Sequence, residues 1–151
     1  MDYFVLEQID HVSINATKTG ETKNSILYKA SDISKLLRFD YIYKGSLVSD
    51  RVKQLFERYL PNNRWTMNGY VDIENGDTLV FWQMNLFEYI PPKETVFGND
   101  GKVKGISFCI DSPPVIFKVK SPRGVISDIV HISVAESLLR RKYLGLKLTR
   151  L

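Results

Sequence analysis

"RWTMNGYVDIENGDTLVFWQMNLF", residues 64–87, carries two periodicities joined by a turn. Trp65, Met67, Val71 and Ile73 alternate with Thr66, Asn68, Tyr70 and Asp72, the period of two expected of a strand with one buried face. Asn75-Gly76 then supplies a reversal, and "TLVFWQMNLF" returns as a more continuously apolar strand. A hairpin of two long strands is therefore expected, with the apolar set of the first strand turned inward.

Outward from the hairpin, the elements alternate in type. Before it, "VSDRVKQLFERYLPNN" places Val52, Leu55, Phe56, Tyr59 and Leu60 on one helical stripe behind Ser49 as N-cap, and Pro61 stops it. "SDISKLLRF" predicts a short helix capped by Ser31 or Asp32. "DYFVLEQI" and "SILYKA" read as short strands, while the polar "NATKTGETKNS" between them reads as a loop.

After Pro91-Pro92, "GNDG" at 98–101 is a second turn, and "VKGISFCI" puts Ile106, Phe108 and Ile110 on one face of a strand. "VIFKVK" alternates Val115, Phe117 and Val119 with Ile116, Lys118 and Lys120, and "SPRG" is a loop. The chain ends in "HISVAESLLRRKYLGLKLTRL". Here Ser133 and Glu136 form an S-x-x-E capping box, Ala135, Leu138, Leu139 and Tyr143 a buried stripe, and Gly145 a C′ stop before a short strand. Short strands with tight turns, mixed with two or three helices not spaced as a βαβ series, predict an α+β fold with a largely antiparallel mixed sheet.

The 151 residues have the length of one domain, 1–151, and no linker or low-complexity stretch divides them. A chain of this length buries about 68–70% of the surface its unfolded state exposes, enough for a core without disulfides. The one cysteine, Cys109, excludes an intramolecular disulfide and suits a reducing compartment. No apolar stretch approaches the roughly 18 residues of a membrane span, and Asp2 and Glu7 stand where a leader would be basic. A soluble, cytoplasmic protein is expected.

Net charge is +4, distributed unevenly: residues 1–100 hold 11 Lys/Arg against 14 Asp/Glu, and residues 101–151 hold 10 against 3. This predicts an electropositive face for an acidic partner. Lys118, Lys120, Arg140, Arg141 and Lys147 are its expected contacts, with Trp82 or Tyr70 as anchors where exposed. The same cations, with Arg123, Lys142, Arg150 and Tyr143, would serve a nucleic-acid-binding protein, although the aromatic RNP strands, GXXG loop and zinc-finger spacing of such modules are missing.

Catalytic signatures are scarce. His11 and His131 are the only histidines, and a structural imidazole is the expected role of His131 in "IVHIS". Cys109 among apolar neighbours suits an inert thiol, and Asp72 with Glu74 suits a solvated hairpin end rather than an acid/base pair. No HxxxH, CxxC, GxGxxG or GxxxxGK[ST] is present, so the reading is no enzyme, no metal and no cofactor. A small hydrolase or nuclease using His11, His131 or Asp72 stands as the last alternative.

Ser49, Leu55, Tyr59 and Leu60 align with Ser133, Leu139, Tyr143 and Leu144, an echo that either any amphipathic helix would show or that marks two equivalent helices on one sheet. From Leu47 to Leu151, "LVSDRVKQLFERY", strands, then "PPVIFKVKSPRGVISDIVHISVAESLLRRKYLGLKL" resembles small bacterial immunity proteins, the antidotes encoded beside polymorphic or contact-dependent-inhibition toxins. The resemblance implies a single-domain α+β protein that binds one cognate toxin domain and performs no chemistry. Residues 1–46 lie outside it, and no contact residue carries over from it.

Overall fold

The computed structural model describes residues 2–10, 12, 14–108 and 114–151. His11, Cys109 and Ile110, named above as a candidate hydrolase residue, an inert thiol and a strand residue, lie outside the described residues. Strands and two α-helices combine into an α+β fold with mostly antiparallel pairing. The chain forms two compact units, one of residues 1–7, 86–142 and 147–151, the other of residues 8–85 and 143–146.

The second unit is built on a six-stranded sheet. In chain order its strands are β2 (Asn15–Glu21), β3 (Ser25–Ser31), β4 (Tyr41–Ile42), β5 (Leu47–Val48), β6 (Arg64–Asp72) and β7 (Asp77–Asn85). They lie in the order β2-β3-β6-β7-β5-β4, with β3 and β6 as a parallel pair. The expected hairpin is β6–β7, paired from Arg64↔Asn85 to Asp72↔Asp77.

The hairpin end is closed by Asp72, whose carboxylate accepts from the Asn75 backbone N–H at 3.2 Å and from Asn75 Nδ2 at 2.8 Å. Those bonds, the side-chain one first, hold the Asp72 pKa below the usual carboxylate value. A depressed folded pKa makes this stabilisation complete above about pH 5 and progressively lost as pH falls through the folded value. An Asp72→Ala variant should therefore be less stable than wild type at neutral pH, with the deficit shrinking in acid unfolding experiments near about pH 3.

Three expectations fail in this unit. The polar stretch read as a loop forms β2, because as an edge strand it needs only one hydrogen-bonded neighbour and no apolar alternation; it runs antiparallel to β3 from Asn15↔Ser31 onward. The buried face of β6 is the opposite one: Asn68, Tyr70 and Asp72 are buried, while Val71 and Ile73 are 39% and 69% exposed. Tyr70 explains the phase, since it joins Phe81, Leu47, Ile42, Leu36, Ile33 and Ala30 in the core. The short helix at Ile33–Arg38 is a 3₁₀ helix, and neither proposed cap acts as one. Ser31 still belongs to β3, and Asp32 sits in the left-handed region at φ 54° without a side-chain cap bond.

Helix α1 (Asp50–Tyr59) forms as its stripe requires. Val52, Leu55 and Phe56 are buried, each removal from water worth roughly 1.5–3 kcal/mol, and the helix lies against β7 and β5. Ser49 Oγ accepts from the Val52 N–H at 3.4 Å and donates to Asp40 Oδ1 at 2.6 Å.

In the first unit, β1 (Tyr3–Gln8), β10 (Ile116–Lys120), β11 (Ile126–His131) and β12 (Leu146–Arg150) form a sheet in the order β10-β11-β1-β12. A small ribbon of β8 (Val96–Phe97) and β9 (Val103–Gly105) spans the 98–101 turn. The strand expected to continue through Phe108 stops at Gly105. Phe108 instead enters an aromatic cluster with Tyr3, Tyr89 and Phe117, whose ring centroids are 4.7–5.8 Å apart.

Helix α2 (Ile132–Arg140) lies against β11 and starts two residues earlier than the capping box predicts. Strand β11 runs directly into it, so His131 holds the N-cap place and its Nδ1 accepts from the Ser133 N–H at 3.2 Å. An accepting Nδ1 carries no proton, which leaves the ring N–H on Nε2. Glu136 is exposed. The buried stripe is rotated from the expected one: Val134, Ala135 and Leu138 are buried, and Leu139 is 66% exposed.

The left-handed residue after the Arg141 C-cap is Lys142, at φ 51°. Gly145 serves another need, with φ 71° and a position where a Cβ would stand 2.5 Å from Phe39 Cδ1. Since α1 and α2 belong to different units, the echo between them is that of two amphipathic helices on two separate sheets.

Candidate functional site

The cations expected to form one face are scattered. Lys118 and Lys120 stand on β10, one edge of the four-stranded sheet, and Lys147 on β12, the opposite edge. Arg140 and Arg141 are exposed at the end of α2, and Arg141 Nη1 donates to the Ser137 carbonyl of its own helix at 3.0 Å. Folding also offsets part of the C-terminal charge. Glu7 on β1 lies 3.9 Å from Lys147 and 4.0 Å from Lys102, and Asp2 lies 2.6 Å from Arg150. By structural unit the balance is 11 Lys/Arg against 8 Asp/Glu in the first and 10 against 9 in the second, far from the contrast along the sequence.

The two aromatic candidates differ. Tyr70 is 4% exposed and so presents no anchor to a partner. It stacks on Tyr28 at 4.9 Å with planes 10° apart, and burial, then Tyr28, pushes its pKa up to about 12. Trp82 lies on the other face of the same sheet, half-buried and held from two sides. Its indole N–H donates to Asp50 Oδ1 at 2.6 Å, and Lys53 Nζ stands 4.5 Å from its ring centroid and 5.6 Å from that of Trp65.

Around Trp82 this sheet face is apolar and open. The register brings Leu27, Gly69 and Val80 into one row across β3, β6 and β7, with Met67 and Trp82 paired beside it and Val71 on the other side. Leu27 and Val80 are 46% and 40% exposed. Leu27 leans across Gly69, where a Cβ would come 3.0 Å from its Cδ2, so the glycine leaves room for the leucine side chain over β6. Sequence reasoning missed Leu27, Met67, Gly69 and Val80. The signal was the run "TLVFWQM", which is apolar on both strand faces although only one could face the core.

Among the described residues no group of three or more His, Cys, Asp or Glu is placed to hold a metal ion, and no helix is long and apolar enough to cross a membrane. No family model matches the chain, and no curated protein is significantly similar to it.

Proposed function

We propose that the chain is an immunity-type binding protein: in the cytoplasm it docks on a cognate toxin domain and blocks it, performing no chemistry itself. The observation that supports this most is the open apolar face of the six-stranded sheet, with side chains of Leu27, Val71 and Val80 in water beside a pinned tryptophan. Contiguous exposed apolar surface on a soluble fold marks interaction sites, and an anchor already held in one rotamer loses little entropy on binding. The partner surface would be apolar at its centre with acidic groups opposite Lys29, which shares this face beside Val71. The basic residues Lys118, Lys120, Arg140, Arg141 and Lys147 then act at longer range, on the rate of encounter.

The test is co-expression with the toxin domain encoded directly upstream, scored by growth and co-purification. Val80→Glu should weaken the complex by roughly 30-fold or more and abolish protection at an unchanged melting temperature, as expected of a central contact. Arg140→Ala with Arg141→Ala should slow association by less than about tenfold. Wild-type protein that neither rescues growth nor co-purifies overturns the reading. Affinity for RNA that falls steeply with salt would put nucleic-acid binding in its place.

A further inference from the structure

Helix α1 covers only part of the sheet face that carries Trp82. It lies against β7 and β5, and its cover ends at the half-buried Trp65 and Trp82. Beyond them Leu27 on β3, Val71 on β6 and Val80 on β7 are each at least 39% exposed. All of these residues belong to the second unit.

The bare part has the dimensions of a helix. Strands β3, β6 and β7 are adjacent, two spacings of about 4.8 Å, so their side chains form a strip about 10 Å wide. An α-helix with its side chains is about 10–12 Å across. Along β6, Met67 to Val71 spans about 14 Å, the rise of roughly nine helical residues, and α1 itself has ten.

The two borders of the strip differ in charge. One is the flank of α1 that carries Asp50, Lys53 and Glu57, spaced i, i+3 and i+7. Asp50 accepts from the Trp82 indole, Lys53 lies over both indoles, and Glu57 pairs with Lys53 at 2.9 Å. Two carboxylates against one ammonium leave this border negative. The other border carries the exposed Lys29 of β3. A strand added at the free edge of the sheet is a poorer occupant, because β2 there carries a bulge between Lys18 and Gly20 and an exposed Lys18–Glu21 ion pair, both of which oppose edge pairing.

We propose that the bare strip seats one amphipathic helix of the toxin domain, laid beside α1, with lysine or arginine along its flank towards Asp50 and Glu57 and an acidic residue towards Lys29. Its apolar stripe covers Leu27, Val71 and Val80, as the stripe of α1 covers the neighbouring strands. The inference rests on the toxin-binding reading and adds the form of the segment bound and the sign of charge on each of its flanks.

The test uses the full chain with the toxin domain encoded directly upstream. A benzophenone amino acid is placed at Ser25 or at Thr78, opposite corners of the strip by register, and the photo-crosslinked toxin residues are mapped by mass spectrometry. The expected result is capture within one toxin segment at spacings of three, four, seven or eight residues. Capture of alternate residues, which a strand would give, or of residues scattered over separate loops overturns the proposal. Glu57→Lys and Lys29→Glu, both at exposed positions, should each weaken the complex about threefold or more at about 50 mM salt and lose most of that effect at about 500 mM. Unchanged or tighter binding by both folded variants also overturns it. Wild-type protein that forms no complex overturns the toxin-binding reading and this inference together, whereas a wild-type complex with the wrong capture pattern overturns the helix alone.

Discussion

Deleting residues 144–151 should remove cooperative unfolding altogether, leaving a chain with no sharp thermal transition and no fixed near-ultraviolet aromatic signal. The segment is bound by its backbone. The Leu144 carbonyl accepts from the Asp40 N–H at 2.8 Å, the Gly145 carbonyl from the Ile9 N–H at 3.0 Å, and the Leu151 N–H donates to the Tyr3 carbonyl at 2.9 Å. Side chains add Thr149 to Glu7 at 2.9 Å and Arg150 to Asp2 at 2.6 Å. Strand β12 also covers one edge of β1, whose Tyr3 and Val5 belong to the core. At a net of about 1 kcal/mol per hydrogen bond, these five and the remaining ladder bonds approach the 5–15 kcal/mol that hold a whole domain. The charges of the tail matter little by comparison: Arg150→Ala, at a pair exposed on both sides, should cost under about 1 kcal/mol. A truncated protein melting at the wild-type temperature would show the tail to be an arm instead.

The parts of this fold legible in the sequence are those whose determinants are local. Helix α1 has its stripe, its serine cap and its proline stop within 13 residues, and the β6–β7 hairpin has its turn between its strands. The parts misread depend on something distant in the chain. Strand β2 is a strand because β3 is beside it. The inward face of β6 is set by which side meets Phe81 and Leu36, and no periodicity within β6 reports that. The start of α2 is moved by β11, which delivers the chain to His131 already extended.

The candidate site was less legible for the same reason. A charge count along the sequence assigned an excess of cations to the last third, but folding returns Asp2 and Glu7 from the other end of the chain to Arg150 and Lys147. Trp82 was identifiable as an aromatic in an apolar strand, whereas Leu27 and Val80 become neighbours only through the parallel register of β3 on β6.

Replacing Asp40 by alanine should destabilise the protein by about 3–4 kcal/mol, a fall in melting temperature on the order of 10 °C. Asp40 is 3% exposed and its carboxylate takes three donors: Ser49 Oγ at 2.6 Å, Arg51 Nη2 at 2.7 Å and the Leu144 N–H at 2.6 Å. The salt bridge is the smaller part. The Arg51 side chain is 60% exposed, so its charge is well hydrated with or without a partner, and Arg51→Ala alone should cost no more than about 1 kcal/mol. The Leu144 N–H and the Ser49 hydroxyl meet Asp40 in part-buried bonds, and leaving each without its acceptor costs roughly 1–3 kcal/mol. Asp40→Asn separates the terms. Its carbonyl can still accept from Leu144, and its amide can donate to Ser49 Oγ once that hydroxyl turns to act as acceptor. Asparagine should therefore recover about half of the loss, and adding Arg51→Ala to it should cost little more. If Asp40→Asn instead destabilises the protein as much as Asp40→Ala, the charge of Asp40 rather than its hydrogen-bonding geometry holds Ser49, Arg51 and Leu144 together.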